Sequence, residues 1–515
     1  MLITFVLLGK ILENRAKGAT SQAIEGLMNL SPATALVQRQ GKETEIPLAQ
    51  VLVGDMVLVK PGEKVPVDGM VFTGSSELDE SMLTGEAMPV LKQKGMHVTG
   101  GTLNTTGSLV IQAERVGKDS TLSRIVRAVE DAQGSKAPVQ KLADKIASIF
   151  VPSILLISLI TFTSWMFFGG GESSILRFQE ALLAAVAVIV VACPCALGLA
   201  TPTALMVGMG KGAQIGVLIK DGEVLQRLCD LDSAVFDKTG TLTLGAPKVV
   251  ESDVDAQALR FAAALEAKSE HPLARAVVEY AHEQGIDALP EPKSFRALVG
   301  KGVEGQLEEH EIIVGARVSV DGKDRGGFTF FDKPKNDAAS TLLQLQQNYG
   351  VKSYMLTGDS LQNAQNVAKL IGLNEAHIFA EVKPLEKAEC VKQLKAHSQT
   401  SKTTIAFIGD GINDAPALAA ADVGVAMASG TDIALDAGSV VLMHNRLQDF
   451  LTALKLSRAT MRKVKQNLFW ALIYNLIMIP LAAFGIIAPE IAGAAMALSS
   501  VSVVSNSLLL KRFKA

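Results

Sequence analysis

Two predicted strands in the middle of the chain are each followed by carboxylates. The strand at 233–236 leads directly into Asp237, and the strand at 404–408 leads into Asp410 and Asp414. Ligands of a parallel α/β sheet bind beyond the carboxyl ends of its strands, so we expect these three carboxylates to converge. Mg²⁺ favours one or two carboxylates together with phosphate oxygens. The sequence therefore predicts a magnesium site at which phosphate is handled.

A carboxylate in such a site can act as a nucleophile and form an aspartyl-phosphate. The phosphoryl oxygens then need cationic and hydroxyl groups to hold them. Candidate groups lie after the same strands or on a following helix: Thr239, Thr357, Asp359 and Lys387. The chain contains no Gly-x-x-x-x-Gly-Lys-Ser/Thr string, which excludes the common P-loop type of ATP-binding machinery.

A second group of reactive side chains lies in an apolar stretch. Cys193 and Cys195 flank a proline inside the uncharged run 181–210. A proline inside a helix removes a hydrogen bond, kinks the helix and frees carbonyl groups. Two thiolates select a soft ion, and a neighbouring thioether favours Cu(I) over zinc. Met496 and Ser500, at i and i+4 of a later apolar helix, offer such a neighbour, although a lone membrane methionine usually only packs.

The composition indicates which kinds of domain carry the carboxylates and the cysteines. The 515 residues are 48% hydrophobic and 20% charged with a net charge of −3, which favours several domains, some in lipid, and disfavours nucleic-acid binding. Four cysteines are too few for a disulfide scaffold. Four runs can cross a hydrocarbon core of about 30 Å, and basic residues at their inner ends predict two hairpins that point away from the cytoplasm. These runs are 146–171, 181–210, 468–489 and 491–510.

Two polar regions, at about 13–145 and 220–465, accompany these runs. The first starts with a polar helix at 13–30 and continues with valines, glycines and turn pairs that predict a small β domain. The second alternates buried strands with helices, which is typical of a parallel sheet covered by helices. An insertion at about 247–328 predicts a separate lobe. Residues 1–12 hold about half of a span, and we expect them to end a helix whose beginning is missing.

Three strings after successive strands resemble those of the P-type ATPases: DKTGT from Asp237, TGD from Thr357 and GDGIND ending at Asp414. The resemblance implies that ATP phosphorylates Asp237 and that Asp410 and Asp414 hold or position Mg²⁺. It also implies that Lys387 and Thr357 steady the phosphate on a haloacid-dehalogenase-like sheet. In the β domain, three residues look like the actuator loop whose glutamate orients or deprotonates the water that removes the phosphate: Thr84, Gly85 and Glu86.

The inserted lobe carries the string SEHPL around His271, which resembles the signature of heavy-metal-transporting P-type ATPases. A lone His-Pro is more often a helix start. By the resemblance, four residues contact the nucleotide: Glu266, His271, Gly300 and Gly302. Residues 300–305 also fit G-x-G-x-x-G, but no Rossmann helix is predicted after them, which disfavours a dinucleotide site. Gly315-Ala316 stands where the family usually has Gly-Asn.

The apolar helices resemble those of the copper(I)-exporting subgroup. The likeness rests on Cys-Pro-Cys, on N-x6-YN-x4-P starting at Asn467, and on MALSS starting at Met496. It implies Cu(I) ligands at Cys193, Cys195, Tyr474, Asn475, Met496 and Ser500, and Ag(I) as a further cargo. Zinc or cadmium is the alternative, but related zinc pumps add a membrane carboxylate or lysine in the closing helices, where this chain has only Glu490, at a turn. Glu13 and Asp144 are expected as transient ligands at the cytoplasmic mouth.

The predicted fold class is multidomain, with an α-helical transmembrane domain, a mainly-β actuator domain, and an α/β haloacid-dehalogenase-like phosphorylation domain that carries an inserted α+β nucleotide-binding domain. The membrane parts are 1–12, 146–210 and 467–510, and the tail is 511–515. The stalks are 13–30, 118–145, 211–230 and 447–466. The soluble domains are the actuator at 31–117, the phosphorylation domain at 231–246 and 329–446, and the nucleotide-binding domain at 247–328.

The predicted function is ATP-driven export of Cu(I) by an integral protein of a bacterial inner membrane, with ATP and Mg²⁺ as cofactors. Its expected partners are Cu(I), a copper chaperone and membrane lipid, with no nucleic acid. Two alternatives stay open at this point: a zinc or cadmium exporter, and a metal-responsive phosphatase or regulatory fragment that does not transport.

Overall fold

The computed structural model describes the chain over residues 11, 32–39, 41–80, 89–124, 127, 137–169, 173–192, 195–269, 271–298, 302–315, 317–396, 403–410, 414–427 and 436–514. The chain forms two compact units. The first comprises residues 1–231, 439–444 and 449–515, and the second comprises residues 232–438 and 445–448. The helix predicted at 13–30 and the loop predicted at 84–86 lie outside the described residues.

The first unit contains a mainly antiparallel β domain. Its strands are β1 (Thr34–Arg39), β2 (Lys42–Pro47), β3 (Met56–Val59), β4 (Asp68–Asp79), β5 (Val90–Gln93), β6 (His97–Val98), β7 (Leu103–Asn104) and β8 (Leu109–Arg115). The strand order is β2-β1-β3-β8-β4-β5, and β6 and β7 also pair with β4. Leu109, Ile111 and Ala113 alternate along β8 and enter a valine-rich core, as the strand period of two requires. The predicted mainly-β domain is confirmed.

Three apolar helices follow in the same unit: α1 (Pro138–Phe168), α2 (Ser174–Val191) and α3 (Cys195–Gln214). Helix α1 starts with proline, whose missing N–H would be unpaired at that position in any case. The Ser158 hydroxyl donates to the Ala185 carbonyl at 3.0 Å and joins α1 to α2. A short strand, β9 (Val217–Ile219), and a short helix, α4 (Gly222–Cys229), come next.

The second unit contains β10 (Leu231–Asp237), after which the chain enters an inserted lobe. The lobe elements are β11 (Lys248–Ser252), α5 (Ala256–Glu266), α6 (Pro272–Glu283), β12 (Ser294–Leu298), β13 (Gly302–Leu307), β14 (His310–Val314), β15 (Arg317–Val320) and β16 (Lys323–Phe331). The strands form an antiparallel sheet in the order β11-β16-β15-β14-β13-β12. Asp255 caps α5 by accepting the N–H of Ala258 at 2.9 Å. The predicted boundary at residue 328 falls inside β16, which continues to Phe331.

Beyond the lobe, the second unit continues as an α/β fold. Its elements are α7 (Ala338–Tyr349), β17 (Lys352–Leu356), α8 (Leu361–Ile371), β18 (Ile378–Phe379), α9 (Pro384–Ala396), β19 (Thr404–Gly409), α10 (Ala415–Ala420) and β20 (Val423–Met427). The sheet order in this unit is β18-β17-β10-β19-β20, with β10 parallel to β17 and β19 parallel to β20. The predicted parallel sheet is confirmed.

Strand β21 (Val440–Leu442), which pairs antiparallel with β9, and two long helices complete the first unit. Helix α11 (Gln448–Ala483) runs without a break from a polar stretch into an apolar one, and α12 (Pro489–Leu508) follows. Among the residues that the structure describes, 4 helical segments are long and apolar enough to cross a membrane: Pro138–Phe168, Ser174–Gln214, Gln448–Ala483 and Pro489–Arg512. Each of the four apolar runs predicted from the sequence overlaps one of these segments.

Candidate functional site

The structure brings the three predicted carboxylates together in the second unit. Asp237 ends β10, Asp410 directly follows β19, and Asp414 immediately precedes α10. One oxygen of each lies within 4.8 Å of the others. Asp237 and Asp414 are buried, and Asp410 is half-buried. Three carboxylates at this spacing repel one another unless cations hold them together.

Lys387 supplies one of those cations. Its Nζ donates to Asp237 Oδ1 at 2.5 Å and to Asp414 Oδ1 at 2.7 Å. Asp414 stands at the N-cap of α10 but makes no side-chain capping bond, so its carboxylate serves the cluster instead of the helix end. Burial alone would lower the pKa of Lys387, but Asp237 and Asp414 outweigh it and hold the pKa above its ordinary value. The ammonium group therefore stays charged within the cluster.

The cluster keeps a surplus of negative charge. Burial, followed by the charge of Asp414, raises the pKa of Asp237 to about 7. Burial and Asp414 also raise the pKa of Asp410 to about 6. Lys387 offsets one of the three carboxylates and Lys335 partly offsets Asp410, so negative charge remains for a further cation when all three are ionised. An all-oxygen donor set suits Mg²⁺, and these residues therefore fit the predicted ion.

Gly240 permits the carboxylates to approach the turn after β10. It adopts a φ of +74°, and a Cβ built on it would lie 1.9 Å from Asp410 Oδ2. Any side chain would therefore displace Asp410. Gly409 has a similar constraint, since its Cβ would lie 2.4 Å from Asp414 Oδ2. Gly240 of DKTGT and Gly409, the first glycine of GDGIND, thus have a steric reason to occur where they do.

The other predicted phosphate-binding groups border the cluster. Strand β17 pairs with β10 so that Leu356 lies opposite Asp237, which places Thr357 at the same sheet edge. Thr357 is buried, and its Oγ1 accepts the N–H of Asp359 at 3.1 Å. Asp359 in turn pairs with Lys238. Thr239 is exposed, next to the buried Lys238.

A cavity of about 580 Å³ extends from this edge to the inserted lobe. Lys238, Thr239 and Asp359 line it on one side, and His271 and Leu273 line it on the other. The Nδ1 of His271 accepts the N–H of Leu273 at 3.2 Å and caps α6. A neutral His271 therefore carries its proton on Nε2, which can donate to a ligand. The histidine both starts a helix and faces the cavity.

Two other described residues, Glu266 and Gly302, were also predicted to contact the nucleotide. Glu266 ends α5, and burial raises its pKa to about 7. Gly302 begins β13 with a φ of +110°, where a Cβ would lie 1.9 Å from the Val314 carbonyl oxygen, so the strand requires glycine there. Gly300 lies outside the described residues. Of the described residues predicted to contact the nucleotide, only His271 lines the cavity.

The predicted Cu(I) ligands belong to three helices of the first unit. Helices α3, α11 and α12 share a hydrophobic cluster that includes Ala196, Ala471 and Val503. Asn475 and Ser500 are buried, and Tyr474 and Met496 are half-buried. Cys193 and the intervening proline lie outside the described residues, and Cys195 is described only as the first residue of α3. The catalytic residues predicted at Thr84, Gly85 and Glu86 also lie outside them.

Comparisons with known proteins agree with this architecture. The P-type ATPase actuator domain matches residues 29–130, and the haloacid dehalogenase-like hydrolase family matches residues 231–422. The copper-exporting P-type ATPase of Staphylococcus saprophyticus is 46% identical over an alignment of 543 positions, which covers 100% of this chain and 67% of that protein. This chain belongs to the P-type ATPase family. The predicted family and the predicted enzyme class are confirmed.

Two further P-type ATPases resemble this one. The probable copper-importing P-type ATPase A of Enterococcus hirae is 46% identical, with 99% of this chain and 73% of that protein aligned. A crystal structure of a zinc-transporting PIB-type ATPase in the E2.Pi state superposes with a TM-score of 0.63 at 31% identity, covering 99% of this chain and 87% of that one. The fold class predicted from the sequence is confirmed.

One basic residue beside the carboxylate cluster was not among the residues predicted from the sequence. Lys335 is buried, and its Nζ donates to Asn445 Oδ1. Burial lowers its pKa to about 8, while Asp337, Asp410 and Asp332 favour the charged form. It belongs to the string DKPK directly after β16. The strand-end criterion that selected Asp237 does not extend to it, because β16 belongs to the antiparallel sheet of the lobe.

Asp332, in the same string, supports the turn that follows Asp237. It lies 2.5 Å from the Thr243 hydroxyl, which also contacts the Lys238 carbonyl at 3.0 Å. The Lys335 N–H donates to the Leu242 carbonyl at 2.9 Å. The end of β16 therefore braces the turn 238–242 from outside the carboxylate cluster.

Proposed function

We propose that this protein uses ATP to move Cu(I), and also Ag(I), out of the cytoplasm through an aspartyl-phosphate on Asp237. The observation that carries the proposal is the buried cluster of Asp237, Asp410 and Asp414 with Lys387. Relatives named as copper-exporting P-type ATPases, at 44–46% identity over the whole chain, support copper as the cargo.

In the first step, an oxygen of the Asp237 carboxylate attacks the γ-phosphorus of ATP. A new P–O bond forms to Asp237, the bond from the γ-phosphorus to the β,γ-bridging oxygen breaks, and ADP leaves with that electron pair. Lys387 and Thr357 hold phosphoryl oxygens and oppose their charge. Asp237, Asp410 and Asp414 would hold Mg²⁺, which would supply positive charge to oppose the charge on the transferred group.

In the second step, water attacks the phosphorus of the aspartyl-phosphate. Glu86, of the string Thr84-Gly85-Glu86, orients this water or accepts its proton. The acyl-phosphate bond breaks, inorganic phosphate leaves, and the Asp237 carboxylate is regenerated. Nucleotide binding falls to Glu266, His271, Gly300 and Gly302, with Thr239 and Asp359 at the phosphate end. The accessible His271 imidazole on the cavity supports this division of roles.

The cargo site is proposed at Cys193, Cys195, Tyr474, Asn475, Met496 and Ser500. Thiolate and thioether sulfur are soft ligands that favour Cu(I). The shared packing of α3, α11 and α12 supports one site built from all three helices. The same proposal includes three further predictions from the sequence: the domain boundaries, a bacterial inner membrane as the location, and a copper chaperone as the donor.

Metal stimulation of ATP hydrolysis tests the cargo. Cu(I) buffered by a thiol is expected to raise the hydrolysis rate of the purified full chain in lipid, whereas Zn²⁺ is expected to have little effect. Stimulation by Zn²⁺ alone would contradict the copper assignment. Hydrolysis that no metal stimulates, together with no uptake into vesicles, would favour the non-transporting phosphatase.

The zinc pump is the second candidate, because one similar solved structure is of a zinc-transporting enzyme. Against it, residues 467–510 contain a single charged residue, Glu490, which lies in the first turn of α12. Direction needs its own test because the names of the relatives include both exporters and an importer. Inside-out vesicles supplied with ATP should accumulate Cu(I) if the protein is an exporter, and right-side-out vesicles should not.

A further inference from the structure

A layer of neutral polar groups joins the three helices that carry the proposed ligands. Asn467 of α11 is fully buried, and its Nδ2 donates to the Ala200 carbonyl of α3 at 3.0 Å and to Ser507 Oγ of α12 at 2.8 Å. Thr203 Oγ1 of α3 lies 3.2 Å from the same Ser507 hydroxyl. We name Asn467, Ser507, Thr203 and the Ala200 carbonyl the polar layer.

The amide of Asn467 is almost saturated with partners. Both of its N–H groups donate within the polar layer, and its Oδ1 accepts from Asn506 Nδ2 at 2.8 Å. An amide can make four such bonds, so three are used. A buried amide held from three sides has one rotamer available, and the helices that supply its partners cannot slide or rotate without breaking bonds.

The polar layer is in register with the proposed ligands. Asn467 precedes Tyr474 by seven residues on α11, and Ser507 follows Ser500 by seven residues on α12. Seven residues make nearly two turns, or about 10 Å, and return a side chain to the same helix face. Ala200 follows Cys195 by five residues on α3. On α11 and α12 the polar layer thus lies on the same faces as Tyr474 and Ser500, two turns away, whereas on α3 Ala200 lies about 140° around the helix from Cys195.

The chemistry of the polar layer argues against a second cargo site. Its groups are amide nitrogen, hydroxyl oxygen and carbonyl oxygen, whereas Cu(I) favours thiolate and thioether sulfur. The described hydrogen-bonding groups of Asn467 and Ser507 contact one another, helix carbonyls, the Thr203 hydroxyl or the Asn506 amide. These contacts are suited to holding helices and not to binding a soft ion.

We infer that Asn467 is a positioning residue for the Cu(I) site, which it serves by fixing the axial register and rotation of α3, α11 and α12. This inference rests on the proposed function, because the ligands that it positions are proposed there. Groups that orient metal ligands through hydrogen bonds commonly change metal affinity about 10- to 100-fold when removed. A positioning role therefore predicts weaker Cu(I) binding with little change in the chemistry at Asp237.

Three variants of the full chain test the inference. Asn467→Leu removes the amide at similar size, and Ser507→Ala removes one of its acceptors. Ser502→Ala is the matched control, because the Ser502 and Ser507 hydroxyls both donate to a carbonyl four residues earlier, at 2.8 and 2.9 Å, but Ser507 also accepts from Asn467. The readouts are the thiol-buffered Cu(I) concentration that gives half-maximal ATP hydrolysis and the rate at saturating Cu(I).

We expect the half-maximal Cu(I) concentration to rise about 10- to 100-fold in Asn467→Leu and about threefold or more in Ser507→Ala, with maximal rates within about twofold of the unmodified protein. Ser502→Ala should match the unmodified protein. An unchanged half-maximal concentration in both test variants would overturn the inference, as would a loss of maximal rate alone. If the unmodified protein responds only to Zn²⁺, the copper proposal fails, and the same comparison made with Zn²⁺ still decides whether the polar layer positions the site.

Discussion

The carboxylate cluster and the polar layer both hold buried polar groups in a fixed arrangement, but they use different interactions. The cluster of Asp237, Asp410 and Asp414 uses charge, and Lys387 balances part of it. The polar layer around Asn467 uses only neutral groups, each paired with another. A charge in a membrane-spanning helix is costly, so neutrality is the cheaper solution there.

This difference has a consequence for how each site responds to its surroundings. An incompletely neutralised cluster should respond strongly to Mg²⁺, to pH and to the loss of its lysine. A saturated neutral network should respond to none of these and only to the loss of a partner. Three of the changes below act on the carboxylate cluster, and the fourth acts on the cargo site that the polar layer is proposed to position.

Asp237→Asn should have the largest effect. An amide cannot form the acyl-phosphate, so the hydroxylamine-labile label obtained from γ-labelled ATP should fall to background. The same change should stabilise the Mg²⁺-free protein at pH 8. Because burial raises the pKa of Asp237 to about 7, its ionised form destabilises the fold above the ordinary carboxyl pKa.

Thermal unfolding in detergent measures that stabilising effect. The midpoint at pH 8 should rise by about 3 °C relative to the unmodified protein, and the difference should disappear below about pH 3, where both folded and unfolded Asp237 are protonated. A label that persists in Asp237→Asn would disprove the nucleophile assignment, whatever the stability result.

Lys387→Met should be the next most harmful change. It leaves Asp237 and Asp414 buried without their shared cation, and breaking a buried ion pair costs about 3–5 kcal/mol. Lys392→Met is the matched control, since Lys392 lies on the same helix, is largely exposed and makes only a 3.9 Å contact with Glu389. ATP hydrolysis and unfolding free energy should fall together in Lys387→Met and stay unchanged in Lys392→Met. Equal stabilities of the two variants would show that Lys387 is not needed to hold the cluster.

Mg²⁺ affinity should depend on pH. Bound Mg²⁺ needs ionised carboxylates, and the pKa values of Asp237 and Asp410 are raised to about 7 and about 6. Lowering the pH from 8 to 6 should therefore weaken Mg²⁺ binding about twentyfold, because two carboxyls must first lose their protons. Calorimetric titration of the nucleotide-free protein at both pH values measures this. A pH-independent affinity would mean that the cluster is ionised throughout and is better neutralised than its geometry indicates.

Features that depend on residues close together in the chain, such as helix ends and strand ends, could be predicted from the sequence. Helix α8 begins and ends at local signals, since Ser360 caps its start and Gly372, in the left-handed conformation, ends it. Asp237 and Asp410 could be paired in advance, because strand ends of a parallel sheet share one edge.

Side-chain contacts between residues far apart in the chain could not be predicted from the sequence. Lys335 owes its position to Asn445, 110 residues away, and Asn467 bonds to Ala200 at a separation of 267 residues. No local period or cap encodes these contacts, since they arise only when separately formed elements pack. The Asn467 pattern pointed to a subgroup of pumps, but its hydrogen bonds to two other helices became visible only in the fold.

The smallest predicted effect concerns the thioether of the cargo site. Met496→Leu keeps the side-chain volume and removes the sulfur, so packing should be preserved while a soft ligand is lost. The half-maximal Cu(I) concentration for ATP hydrolysis should rise about tenfold, which corresponds to about 1.4 kcal/mol. Met478→Leu is the control, because Met478 lies on α11 and packs into a hydrophobic cluster with Ile154 and Val188. Since the change leaves the carboxylate cluster untouched, the Mg²⁺ requirement should be the same in both variants. An equal Cu(I) response of the two leucine variants would show that Met496 only packs, and the soft-ion site would then depend on the cysteines alone.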